Sequence, residues 1–224
     1  MAVTDDAILK IQRMIVAGEL KPGQKLPPEK ELSEGLGLSR NSLREAVKAL
    51  ELIRVLDVRR GDGTYVTTLE PNLLLEAVSF VVEMHQDRSL IELFEARRVL
   101  EPAAAGLAAA KLDQGALERL RSMVDEVDAT TSVEELVAHD LAFHAQITAG
   151  SENAYLISMV EALSSGTVRA RIWRGLTEEQ SVARTLDEHH AIVDALERHD
   201  VDLVRSLVTV HVSGVESWLR RTLE

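Results

Sequence analysis

Apolar residues recur at helical spacing along most of this 224-residue chain and alternate at strand spacing in one short stretch. The first run covers residues 4–18, where Ile8, Ile11, Met14 and Ile15 share one face. Pro28 sits near the start of a short helix that runs to about Leu36. Gly35 and Gly37 bracket a tight turn, and a third helix follows from Leu38 to Leu50. Next, Val55 to Arg59 and Thr64 to Thr68 read as two strands joined by Arg60-Gly61-Asp62-Gly63.

Beyond Leu73 only helical periodicity remains. It predicts helices over 73–85, 89–110 with a kink at Pro102, 113–127, 132–149, 153–176, 179–199 and 201–222. The predicted fold class is mainly α: a winged helix-turn-helix with a small β-hairpin wing, then an all-α antiparallel bundle of about six to seven helices. Leu69-Glu70-Pro71-Asn72 is the candidate linker, which divides the chain into 1–70 and 71–224.

The third helix carries the first chemical signal. On a wheel advancing about 100° per residue from Arg40 at zero, Arg44 falls near 40° and Lys48 near 80°, while Leu43, Ala46, Val47 and Leu50 gather between about 240° and 340°. Ser39 can cap this helix, or Ser42 and Glu45 can form a capping box one turn later. The first turns of such a helix are the part that reaches base edges. A basic arc beside an apolar stripe is, alone, an ordinary solvated face. The preceding helix and turn, and a following hairpin with arginines at its tip, make it a DNA-reading arrangement, in which Gly61 lets the backbone approach a phosphate closely.

The charge balance sharpens this. The net charge of −12 looks wrong for a DNA binder, but residues 1–70 hold eleven basic and eleven acidic residues, and residues 71–224 hold fourteen against twenty-six. DNA affinity would then rest on a local patch of Lys30, Arg40, Arg44, Lys48, Arg59 and Arg60. The absence of cysteine excludes a disulfide framework and a thiolate metal site. No apolar run approaches the roughly 18 residues needed to span a membrane, and the N-terminus, with Asp5 and Asp6, lacks a signal-peptide pattern, so a cytoplasmic protein is expected.

The later helices place polar groups inside apolar stripes. Asp140 and His144 share a face with Val137, Leu141, Phe143 and Ile147; His189 lies among Val182, Leu186, Ile192, Val193 and Leu196; His211 lies among Val204, Leu207, Val208, Val215 and Trp218. Any one of these histidines could be an ordinary core residue bonded to a carbonyl. Together, one carboxylate and three neutral imidazoles can complete a ligand set for a divalent cation, zinc first, with nickel, manganese or iron as alternatives. Arg97 also falls in an apolar stripe, with Leu90, Leu93, Phe94, Leu100 and Ala104. It reads either as an internal ion pair with Glu101 or as a clamp for the carboxylate of a small organic acid.

Residues 7–68 resemble the winged helix of the GntR family of bacterial transcription regulators. The resemblance is carried by Ile15, Gly18-Glu19-Leu20, Pro22-Gly23, Leu26-Pro27, Glu29, Glu31-Leu32, Leu36-Gly37, Ser39-Arg40, Leu43-Arg44-Glu45-Ala46, Leu50, Gly61, Gly63-Thr64 and Val66. It implies Lys30, Arg40 and Arg44 as base readers and Gly61 as the wing contact. Lys30 stands where many members carry arginine, which gives a point charge without a planar fork.

Most of residues 88–215 is similar to the all-helical FCD effector domain of the FadR-like branch of that family. The residues concerned are Leu93-Phe94-Glu95-Ala96-Arg97 with Leu100-Glu101, Asp140 with Phe143-His144, Asn153 with Leu156, Glu188-His189 with Ile192, and Asp200 followed by His211. This resemblance implies Asp140, His144, His189 and His211 as metal ligands and places Asn153 with Arg97 in ligand binding. The expected protein is a ligand-responsive repressor, a homodimer on a pseudo-palindromic operator, and not an enzyme. The rival is an HD-type metal-dependent phosphohydrolase with an added DNA module, built on His139-Asp140 and echoed by His199-Asp200.

Overall fold

A computed structural model describes residues 3–69 and 88–223. The expected helix over 73–85 and all of the candidate linker after Leu69 lie outside them. The described residues form ten helices and one two-stranded sheet, in two compact units.

The first unit contains α1 (Val3–Val16), α2 (Glu29–Leu36), α3 (Arg40–Leu52), β1 (Leu56–Arg59) and β2 (Gly63–Val66). α1 packs on α3 and buries Ala7 and Ile11 completely, with Ile8, Met14 and Ile15 half-buried beside them. α2 ends at Gly37, whose φ of 63° is left-handed and turns the chain toward α3. α3 takes the first of its two possible starts: Ser39 Oγ accepts from the Ser42 amide at 3.0 Å. Leu43, Ala46 and Leu50 are buried as the wheel requires, and Val47 is half-buried.

The hairpin is antiparallel, with Leu56 opposite Val66 and Arg59 opposite Gly63. Leu56 and Val66 both face the core, where full burial contributes about 1.5–3 kcal/mol each. The second strand starts one residue earlier and ends two earlier than expected. One pairing was not anticipated. The Leu26 amide donates to the Thr64 carbonyl at 2.7 Å and the Val66 amide to the Gln24 carbonyl at 2.9 Å, so residues 24–26 cover the free edge of β2.

The second unit contains α4 (Arg88–Ala109), α5 (Gln114–Asp125), α6 (Val133–Ala149), α7 (Ala154–Ser165), α8 (Val168–Thr177), α9 (Ser181–Glu197) and α10 (Val201–Leu223). α10 packs along α4, and α5 to α9 close around this pair. Phe94, Leu120, Phe143, Ile192, Leu196, Val204, Val208 and Leu219 form the centre of one continuous apolar core. α6 begins at a capping box in which Ser132 Oγ accepts from the Glu135 amide and the Glu135 carboxylate accepts from the Ser132 amide.

One expected helix holds here and one changes. α4 runs through Pro102, which leaves the Arg98 carbonyl without its usual amide donor but does not end the helix. The single helix expected over 153–176 is two helices, α7 and α8, separated at Gly166 and Thr167. The Thr167 amide reaches only to the Ser164 carbonyl, 3.1 Å away, which tightens the last turn.

Candidate metal centre and DNA interface

One turn of helix separates Asp140 from His144 on α6, so both side chains enter the core from the same face. α9 supplies His189 and α10 supplies His211. All four are buried, and one ligating atom from each lies within 4.8 Å of every other. Asp140 Oδ1 is the centre of the group: it lies 3.0 Å from His189 Nε2, 3.4 Å from His211 Nε2 and 3.6 Å from His144 Nε2. The rings crowd together, with His211 4.9 Å from both His144 and His189 between centroids, and Phe143 4.5 Å from His189.

A second layer of charge aims these groups. His211 Nδ1 is 2.8 Å from Glu188 Oε2, and His144 Nδ1 is 3.1 Å from Glu101 Oε2. The latter is a close approach of the ring to the carboxylate, whose Oε2 atom has no hydrogen-bond partner. Arg97 Nε donates to Glu101, and its Nη1 donates to Thr167 Oγ1 at 3.2 Å. Arg171 Nη1 donates to Asp140 Oδ2. The carboxylate of Asp140 is thus divided: one oxygen meets a guanidinium and the other meets three imidazoles.

The electrostatics follow from that crowding. Burial alone would raise the Asp140 carboxyl, but Arg171 with His189 and His211 holds it well below the usual range. Burial pushes His189 down to about 4 and lowers His144 as well, so both rings are neutral and able to donate a lone pair. For His211, burial is outweighed by hydrogen bonds to Asp140 and Glu188, which raise it to about 9. Burial also lowers Arg171 to about 10.

The donor set fits a divalent cation. Metal–nitrogen bonds of about 2.1 Å put opposed ligand atoms about 4.2 Å apart, so a spread within 4.8 Å needs only slight contraction. His144 Nε2 is buried and has no hydrogen-bond partner, which leaves a lone pair facing the cluster.

Beside the cluster lies a half-open cavity of about 40 Å³, with room for about three waters. Arg97, Asp140, Arg171, Arg174 and His211 supply the ionisable part of its lining, and Ser181 and Thr185 add hydroxyls. Arg97 makes the internal ion pair with Glu101 that one of its two readings expected, and it also lines the cavity. Asn153 is placed elsewhere: it is exposed, caps α7 by accepting from the Tyr155 and Leu156 amides at 3.2 Å, and is not among the cavity-lining residues. Arg171 and Arg174 were not singled out by sequence. Their three-residue spacing on α8 was the available signal, but three arginines in ten residues read as a solvated face.

In the first unit, Lys30, Arg40, Arg44, Lys48 and Arg60 are all exposed. Arg44 Nε is held 2.9 Å from Glu29 Oε2, and Lys48 Nζ 2.9 Å from Glu45 Oε1. Gly61 takes a φ of 77° at the hairpin tip, a conformation that costs a side chain about 1–2 kcal/mol. Below it, Asp62 accepts from Lys25 at 2.9 Å and from the Tyr65 hydroxyl at 2.7 Å, while the Arg59 guanidinium stacks 4.2 Å from the Tyr65 ring.

A winged helix with an exposed basic edge, carried by the same chain as a helical unit with a buried Asp-His cluster, defines a transcription regulator. Comparison with known proteins gives the family. Residues 4–66 match the profile of bacterial regulatory proteins of the gntR family, and residues 92–214 match the FCD domain. The chain belongs to the GntR family of transcriptional regulators, in the branch that carries an FCD domain.

It is 32% identical to the HTH-type transcriptional regulator LutR of Bacillus subtilis, over 92% of this chain and 96% of that protein. It is 31% identical to the galactonate operon transcriptional repressor of Escherichia coli, over 89% of each. The structure of a Streptococcus agalactiae GntR protein has the same fold, with a TM-score of 0.68 at 24% identity, covering 96% of this chain and 99% of that one. The phosphohydrolase alternative is not favoured. The relatives are regulators, and His139 Nε2 bonds the Met123 carbonyl at 2.7 Å instead of joining Asp140. Among the described residues no helix is long and apolar enough to cross a membrane.

Proposed function

We propose that this chain is a cytoplasmic, homodimeric, metabolite-responsive repressor. Residues 1–70 bind a pseudo-palindromic operator, and residues 71–224 dimerise and bind a divalent metal together with a small organic acid. The single observation that carries the ligand reading is the convergence of Asp140, His144, His189 and His211 within 4.8 Å in a buried setting beside a cavity.

Asp140 Oδ1 and the Nε2 atoms of the three histidines would hold the metal, zinc in preference to nickel, manganese or iron. Glu101 and Glu188 hold the far side of two rings, which turns their Nε2 atoms inward, and His211 would give up its Nε2 proton when an ion binds. When bound, the ion supplies Lewis acidity and open coordination positions. Arg97 forms part of the wall that an acid would meet. One relative is named for the galactonate operon, and galactonate is a 2-hydroxy acid. A hydroxyl beside a carboxylate is a bidentate metal ligand, so 2-hydroxy acids are the class to try first.

Lys30, Arg40 and Arg44 contact bases, and Lys48, Arg60 and the backbone at Gly61 contact phosphates. An acid that binds two conformations of the helical domain unequally shifts their populations, and the operator affinity shifts with them. The test has two parts. Selection from random DNA should yield a palindromic site that binds well above scrambled DNA, and a 2-hydroxy acid should change that affinity only in metal-loaded protein. Equal affinity for selected and scrambled DNA would overturn the first part. An acid response unchanged by chelation would overturn the second.

A further inference from the structure

The cavity beside the cluster contains more donor capacity than its own walls use. Arg97, Arg171 and Arg174 are 2%, 7% and 4% exposed, deep burial for guanidinium groups. Arg97 is matched by Glu101 and Thr167. The other two are matched only in part. Arg171 uses Nη1 on Asp140, and Arg174 uses Nε on Glu178 at 2.5 Å, but the Nη2 atom of each is buried with no hydrogen-bond partner. Glu178 is itself shared with Arg221, 3.0 Å away.

Both arginines project from α8 three residues apart, which puts them on one face, and both line the cavity that Asp140 and His211 line. Two buried donors without acceptors thus belong to residues that line the same cavity as Asp140 and His211, and a buried N–H left unmet is costly. Asp140 and Glu178 balance the charge of these two arginines but leave their Nη2 hydrogens unmet, and one carboxylate or phosphate offers an oxygen to each nitrogen.

We propose that the effector carries two anionic groups, one directed to the Asp-His cluster and the other received by the Nη2 donors of Arg171 and Arg174. The inference rests on the acid-binding reading above and narrows it from organic acids in general to small dianions. The second group is a carboxylate or a phosphate, since either presents two oxygens to a pair of guanidinium nitrogens.

The test compares three probes on the zinc-loaded full chain by calorimetry: L-lactate with one acidic group, L-malate with a second carboxylate, and 3-phosphoglycerate with a phosphate. At least one dianion is expected to bind about tenfold or more tightly than lactate. Malate alone gaining would identify a carboxylate pocket, and 3-phosphoglycerate alone a phosphate pocket. In Arg174→Met the ratio should fall toward one. In Arg174→Lys, which keeps the charge without the planar fork, it should fall part-way, so the proposal stays testable if the Met variant folds poorly. Lactate binding as tightly as both dianions, or a dianion preference that survives Arg174→Met, would overturn the proposal and leave the acid site standing. If none of the three binds, the acid-site reading falls with it.

Discussion

Arg171 donates to one oxygen of Asp140 and leaves the other, 3.0 Å from His189 Nε2, facing the three histidines. The guanidinium compensates the buried carboxylate without covering the atom that a metal would need. Its removal should therefore matter most when no ion is present. In Arg171→Met, urea unfolding of chelator-treated protein should show a loss of about 3–5 kcal/mol, the cost of stranding a buried charge, and added zinc should shrink that loss. A loss of the same size with and without zinc would count against a shared carboxylate.

Glu188 holds His211 Nδ1 at 2.8 Å from the side away from the cluster. Glu188→Ala should weaken zinc binding about 10- to 100-fold in competition with a chelating dye, and Glu188→Gln, which keeps an acceptor oxygen, should recover part of it. Unchanged affinity in both would show that ring orientation is fixed by packing alone.

Arg44 is held 2.9 Å from Glu29 on the preceding helix. Arg44→Ala should cost about 1–3 kcal/mol of operator affinity and relax the preferred base at one position of each half-site. Lys48→Ala should weaken every sequence alike and reduce the salt slope by about one. Glu29→Gln releases Arg44 and should raise affinity for random DNA slightly, because an exposed pair is worth at most about 1 kcal/mol. Competition binding at several salt concentrations separates the three outcomes.

His139 bonds the Met123 carbonyl, and its Nδ1 is buried without a partner. His139→Ala should lower stability by about 0.5–1.5 kcal/mol yet leave zinc stoichiometry at the parent value. Loss of the metal in elemental analysis would revive the phosphohydrolase reading.

The parts of the structure that sequence made legible are those set by helical phase. Asp140 and His144 share a face because four residues make about one turn, and the buried row Leu43, Ala46 and Leu50 leaves Arg40, Arg44 and Lys48 on the exposed side of α3 by the same rule. The break between α7 and α8 was hidden because apolar spacing continues through Gly166 and Thr167, and the contact made there, Thr167 Oγ1 accepting from Arg97 on α4, is tertiary and leaves no local pattern. Burial of Arg171 and Arg174 was equally hidden: the partner of Arg171 is Asp140 on α6, and the Arg174 to Glu178 pair, four residues apart, reads from sequence as an ordinary surface pair. The edge pairing of residues 24–26 with β2 leaves no alternating pattern in a stretch that contains Lys25 between Gln24 and Leu26.

The cluster draws its members from three helices, and the chain from Asp140 to His211 forms a long loop between the outermost two. In a protein without cysteine, an ion at that point would do what a covalent crosslink does elsewhere: shorten the excursions of the unfolded chain and fasten distant segments. Unlike a disulfide, such a fastening would answer to the supply of a cation, so the rigidity of this half of the molecule would track trace-element supply.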